Sequence, residues 1–134
     1  MLLVKTKIGP NAIAGIGIFA DEFIPKGTVM WEFKEGFDLR FDEKFLQSLS
    51  KPSQKLVLNY IYKNPGTGLY VLCADDARFF NHSETPSVED IYFTDSAKDS
   101  DGITIAARDL EPGDEITCDY RSFDADWKRH LGEN

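Results

Sequence analysis

The chain is 134 residues long, 42% hydrophobic and 28% charged, with a formal net charge of −8 and a pI near 4.7. That size and mix describe one domain able to bury a core without staples, and the acidity argues against a direct nucleic-acid ligand while favouring a basic partner such as a Lys/Arg-rich peptide. No apolar run approaches a membrane span and Met1-Leu2-Leu3-Val4-Lys5 lacks a signal-peptide layout, so an intracellular protein, cytoplasmic or nuclear and not secreted, is expected.

Residues 2–8 alternate loosely and read as an opening strand, followed by a Gly9-Pro10-Asn11 turn. In Ala14-Gly15-Ile16-Gly17-Ile18-Phe19-Ala20 two glycines flank Ile16. They mark either ordinary strand curvature or a place where another backbone or a ligand approaches closely. The pattern is not Gly-X-Gly-X-X-Gly and no helical period follows, which disfavours a dinucleotide fold. Ile24-Pro25-Lys26-Gly27 is a tight turn and Thr28 to Phe33 a strand.

Asp42 to Tyr62 is the helical region. Phe45, Leu46 and Leu49 share a face behind an Asp42 N-cap; Pro52 ends that helix. Ser53 is the expected cap of a second helix, on which Leu56, Val57, Tyr60 and Ile61 repeat at three and four. Tyr60 and Tyr62 point to different faces, so at least one meets something polar. Asn64 to Gly68 reads as a turn, Leu69 to Cys73 as a buried strand, and Ile91-Tyr92-Phe93 and Ile103 to Ala107 as strands joined by a polar loop, 94–102. That acidic loop fails the calcium pattern, because Ala97 and Arg108 fall where the first and last carboxylates belong. Leu110-Glu111-Pro112-Gly113 is a turn and Glu115 to Tyr120 a final strand. Cys73 and Cys118 read as buried thiols, and two cysteines with two scattered histidines make no zinc module. Short strands, Gly/Pro turns and one helical insert make a mainly β single domain over 1–134, with the insert at about 42–62 and a tail at about 121–134.

Two dense segments remain. Arg78-Phe79-Phe80-Asn81-His82-Ser83 sets two aromatics between a guanidinium and an amide–imidazole–hydroxyl trio; the plain reading is a turn, the functional one a half-buried ligand site. Gly113-Asp114-Glu115-Ile116-Thr117-Cys118-Asp119-Tyr120 follows about thirty residues later, ending in a Tyr whose plain reading is packing.

Taken together with Gly15–Ala20 and Ile24–Gly27, the order and spacing of these segments resemble a SET domain, a family of S-adenosylmethionine-dependent protein lysine methyltransferases. The resemblance runs from about Met1 to Phe123 and is nearest to minimal stand-alone viral and bacterial forms. It implies a β-clip-like fold of several short sheets with a C-terminal pseudoknot. The cofactor would be held by backbone at Gly15, Ile16 and Gly17, by Arg78 facing its carboxylate, and by Asn81 and His82. Tyr120 would be the catalytic phenol, touching the cofactor as well. Tyr60, Tyr92, Phe123 and Trp127 are candidates for the walls of a lysine channel. Where family members with a Cys-rich tail have Cys after Asn-His-Ser, this chain has Glu84, so no metal is expected; Ser87 stands where the family has Asn. The implied substrate is a histone or other basic protein. A catalytically silent peptide-binding SET module is the alternative, and because the minimal relatives often dimerise, a homodimer stays open.

Overall fold

A computed structural model describes residues 1–92 and 101–132. Four small sheets carry the fold. Strands β1 (Thr6–Asn11) and β2 (Gly15–Ala20) form an antiparallel hairpin. The second sheet orders β3 (Val29–Glu32), β9 (Ile103–Ala106) and β8 (Val88–Ile91). The third orders β4 (Leu39–Phe41), β6 (Tyr70–Leu72) and β5 (Tyr62–Lys63). Last, β7 (Asn81–His82) and β10 (Thr117–Cys118) run parallel, so the Asn-His-Ser segment lies directly against the later motif. Ser83 N–H donates to Cys118 O at 2.9 Å and Ser87 N–H to Thr117 O at 3.1 Å, extending that crossing beyond the two paired residues.

The main core gathers Ile18, Ala20, Ile24, Met30, Leu110 and Ile116, with Phe79, Phe80, Tyr120 and Phe123 packed on its edge. Both dense motifs therefore sit where apolar packing fixes their backbone and leaves polar groups facing out. The insert has a separate small core of Leu46, Ile61 and Tyr70. Its helices are α1 (Glu43–Ser48), capped by Asp42 accepting from Phe45 N–H at 2.8 Å, and α2 (Lys51–Leu58). No helix among the described residues is long and apolar enough to cross a membrane.

Several local expectations are corrected. Gly9-Pro10-Asn11 is strand, not turn; Pro10 pairs with Ile16 in a sheet with nothing outside β1, so its missing N–H disrupts no further ladder. The reversal falls at 12–14 instead. Ser50, not Ser53, caps α2, and Pro52 sits in that helix's first turn, where proline is tolerated, instead of ending the first helix. The strand placed at 91–93 is β8, ending at Ile91, while Phe93 and most of the 94–102 loop lie outside the described residues.

Gly102 turns the chain into β9 at φ +63°, and a Cβ there would overlap the Ile91 carbonyl oxygen and stand 3.1 Å from Tyr92 Cδ1. Backbone cannot yield as a side-chain tip can. Gly102→Ala should therefore lower stability by roughly 2–3 kcal/mol in urea titrations; a loss under about 0.5 kcal/mol, the scale of an ordinary surface change, would show that this close approach is absent in solution.

Candidate active site

Two cavities adjoin at Tyr120. The larger, about 420 Å³, is a polar cleft between the start of β2, the end of α2, the segment Arg78–Asn81 and the short helix α3 (Trp127–His130). Its volume falls within the roughly 300–1,000 Å³ usual for small-molecule sites. The smaller, about 70 Å³, has an aromatic and acidic wall that includes Tyr62, Tyr92, Phe123, Asp90, Asp101 and Asp124. Asn59, Tyr60, Arg78, Phe80, Tyr120 and His130 border both spaces.

In the cleft, the Arg78 guanidinium stacks near Phe79 at 5.0 Å and Tyr60 at 5.6 Å. It enters no ion pair among the described residues, and neither does Arg129, whose Nη1 donates to Leu58 O. Two guanidiniums without carboxylate partners suit an anionic ligand group. Asn81 Nδ2 donates to Ile16 O at 2.9 Å, tying β7 to the hairpin at the cleft's edge.

Tyr120 opens a 3₁₀ turn immediately after β10. Its hydroxyl donates to Phe80 O at 2.7 Å, and its backbone N–H donates to His82 Nδ1 at 3.2 Å. The ring lies between those of His82, Phe123 and His130, at centroid distances of 5.4, 6.0 and 5.4 Å. Burial, aided by Cys118 and Asp124, pushes the phenol above its ordinary value. It stays protonated at neutral pH and can serve as an oriented hydrogen-bonding group, not as a phenolate base.

Beside it, Asp101 holds Arg40 at 2.6 Å and accepts from Asn64 Nδ2 at 2.9 Å. Asp124 accepts the N–H groups of Lys63 and Asp126 at 3.0 and 2.9 Å, and lies 3.2 Å from His130 Nε2. The Trp31 indole N–H also faces this region, buried and without a hydrogen-bond partner among the described residues. Among those residues no group of three or more His, Cys, Asp or Glu side chains is placed to hold a metal ion.

Of the residues singled out by sequence, Ile16, Tyr60, Arg78, Asn81, Tyr92, Phe123 and Tyr120 line one or both cavities. Gly15 and Gly17 do not. Gly17 is buried, and a Cβ there would meet the Glu115 carboxylate tip and touch Asn81 Nδ2 at 3.4 Å. His82 also stands off the cleft; its ring is taken up by Tyr120 N–H, with Glu84 and Asp119 at 3.4 and 3.6 Å. Trp127 lies on α3 with Lys128 over its ring at 5.6 Å and lines neither space. Sequence reasoning missed Asn59, Tyr62, Asp90, Arg129 and His130. For Asp90 a signal existed: Val88 and Asp90 share one face of β8, and Val88 is core.

Residues 15–121 match the family model for the SET domain. A solved candidate histone methyltransferase of Plasmodium falciparum aligns with TM-score 0.57 and 20% identity, covering 89% of this chain and 95% of that one. KRYPTONITE, solved in complex with mCHG DNA and SAH, aligns with TM-score 0.63 and 21% identity; 89% of this chain is covered but only 24% of that one. At such identities the likeness is one of fold. No curated protein sequence matches the chain. With the family model spanning most of the sequence and the fold shared with both solved relatives, this chain belongs to the SET-domain family.

Proposed function

We propose that the protein transfers a methyl group from S-adenosylmethionine to the ε-amine of a lysine in a basic protein or peptide. The observation that carries this reading is the junction at Tyr120 of a polar, cation-lined cleft with a narrow aromatic cavity. The SAH bound to KRYPTONITE supports the choice of cofactor. The cofactor supplies a methyl group already activated on a positively charged sulfur, so the protein's work is positioning, water exclusion and control of one proton.

Arg78, with Arg129 nearby, would receive the cofactor's carboxylate, and Ile16 and Asn81 would wall its amino-acid end. Tyr120 would stand between the two ligands with its hydroxyl oxygen aimed by the bond to Phe80 O. Alignment of this kind contributes up to roughly 7–11 kcal/mol to lowering a barrier. The lysine must arrive uncharged although its ordinary pKa is about 10.4; the aromatic wall of Tyr62, Tyr92 and Phe123 disfavours the charged form by desolvation.

Incubation with labelled S-adenosylmethionine and an array of basic proteins and lysine peptides tests the reading directly. Label in lysine is the expected result. SAH binding without transfer to any acceptor would instead make the protein a peptide-docking module, and no SAH binding at all would remove the cofactor assignment. Arg78→Ala should weaken SAH binding roughly 10- to 100-fold by calorimetry, the range for losing a hydrogen bond to a charged group. Unchanged affinity would move the carboxylate's anchor to Arg129.

A further inference from the structure

Three carboxylates line the small cavity, and two are already engaged. Asp101 is neutralised by Arg40 and bonded by Asn64; Asp124 accepts two backbone N–H groups and lies beside His130. Asp90 differs. Thr104 Oγ1 donates to its Oδ1 at 2.9 Å. Ser122 Oγ lies 3.0 Å from Oδ2 but 2.7 Å from Asp119 O, and its single proton serves only one of them. No cation pairs with Asp90 among the described residues. A largely desolvated carboxylate lacking a cation and one full set of donors is costly unless a ligand completes it.

We propose that Asp90 receives the substrate's cationic amine in this cavity and takes its proton before methyl transfer. The assignment rests on the lysine-transfer reading above and names the base that reading lacks. Tyr120 cannot fill the part, since its hydroxyl is retained as a donor to Phe80 O. In the step, one N–H bond of the ammonium breaks as an O–H bond forms on Asp90. The electron pair stays on nitrogen as the lone pair that transfer requires, and the carboxyl later returns the proton to water. Burial raises the Asp90 carboxyl above the usual carboxylate range, which improves it as an acceptor.

The groups around Asp90 divide: burial and neighbouring carboxylates raise its proton affinity, while the hydroxyls of Thr104 and Ser122 lower it, and burial prevails. Glu89 on its own strand and Asp119 from the C-terminal segment raise its proton affinity. Asp101, Asp124, Cys118 and the phenols of Tyr62, Tyr92 and Tyr120 share its cavity, as does His130 from α3. Arg78 borders this cavity as well as the cleft but forms no ion pair with Asp90 among the described residues, and Arg40 is committed to Asp101. A carboxylate in this company favours an incoming cation over a neutral side chain of equal shape.

The test uses the best acceptor peptide from the array and its counterpart with norleucine at the target position. For Asp90→Asn, kcat/KM should fall about 100-fold at neutral pH, with the deficit shrinking as pH rises and solution supplies the free amine. Asp90→Glu should recover part of the loss, and SAH affinity and thermal midpoint should stay close to wild type. Calorimetry should show the wild type preferring the lysine peptide over the norleucine one, with that preference reduced in Asp90→Asn. A deficit equal at every pH, or an undiminished lysine preference, would overturn the assignment and leave Asp90 a strap between β9 and the tail. Wild-type protein that binds SAH yet labels no lysine peptide would overturn the transfer reading itself, and this assignment with it.

Discussion

Replacing Tyr120 with phenylalanine should lower kcat by roughly 10²–10³-fold, the loss typical of one oriented catalytic group, while fold and SAH affinity persist. The hydroxyl is fixed at 2.7 Å from Phe80 O, and the backbone of the same residue is fixed by His82. The variant keeps the backbone bond to His82 and the ring's aromatic neighbours, His82, Phe123 and His130, and loses only the hydroxyl. The packed ring therefore remains, but the oxygen proposed to orient an amine at the junction is gone. Removing the donor also leaves Phe80 O short of a partner, a cost of roughly 1–3 kcal/mol that should appear as a lower thermal midpoint without loss of cooperativity. Because burial raises the phenol, the wild-type rate should not need phenolate and should show no rise near the ordinary tyrosine range. Single-turnover measurement with SAH affinity as the control separates the outcomes. Turnover within about fivefold of wild type would remove Tyr120 from the chemistry, a difference of only about 1 kcal/mol in barrier.

The parts legible in sequence were those fixed by local chemistry. The Pro-Gly reversal at Ile24–Gly27 and the Asp42 cap are set by neighbours within four residues, and both form as expected. The two dense motifs were legible because their residue mix is costly without a purpose, and the structure lays one against the other through β7 and β10. What escaped depends on distant partners. Tyr62–Lys63 is a strand only because it pairs with Tyr70 and Val71, and Leu39–Phe41 only because it pairs with the same strand from the other side. Ser50 and Ser53 are equally good caps in isolation; the choice follows from where Pro52 is tolerated. That the His82 ring is held within the protein is visible only through Tyr120 N–H, 38 residues away, which occupies its Nδ1. Arg129 and His130 lie in a tail without periodicity, and only the fold returns them to Leu58 and Ile61. Non-local pairing, not weak local signal, hid half of the site.

The largest stability effect should come from Arg40, which lies outside both motifs. Its guanidinium reaches Asp101 Oδ2 through Nε at 2.7 Å and Nη2 at 2.6 Å, and covers the Phe33 ring at 3.6 Å. Asp101 is 2% exposed at its side chain and has Asn64 Nδ2 at 2.9 Å and Tyr62 OH at 3.4 Å as its other donors. One buried carboxylate thus joins β4, β5 and the start of β9, and with Tyr62 it forms part of the small cavity's wall. Arg40→Met keeps the stem over Phe33 but strands that charge. Breaking a buried pair costs roughly 3–5 kcal/mol, and because Arg40 is 27% exposed, the low end, about 3 kcal/mol or a fall of about 10 °C in Tm, is expected. Adding Asp101→Asn removes the stranded charge while keeping an acceptor for Asn64, so the double variant should be more stable than Arg40→Met alone. Strict additivity of the two changes in urea titrations, or a Tm within about 2 °C of wild type for Arg40→Met, would mean that the pair behaves as an exposed one and that the cavity wall is held by packing. Turnover distinguishes the same cases: a wall held by Asp101 should lose activity in Arg40→Met below its melting range and regain it in the double variant.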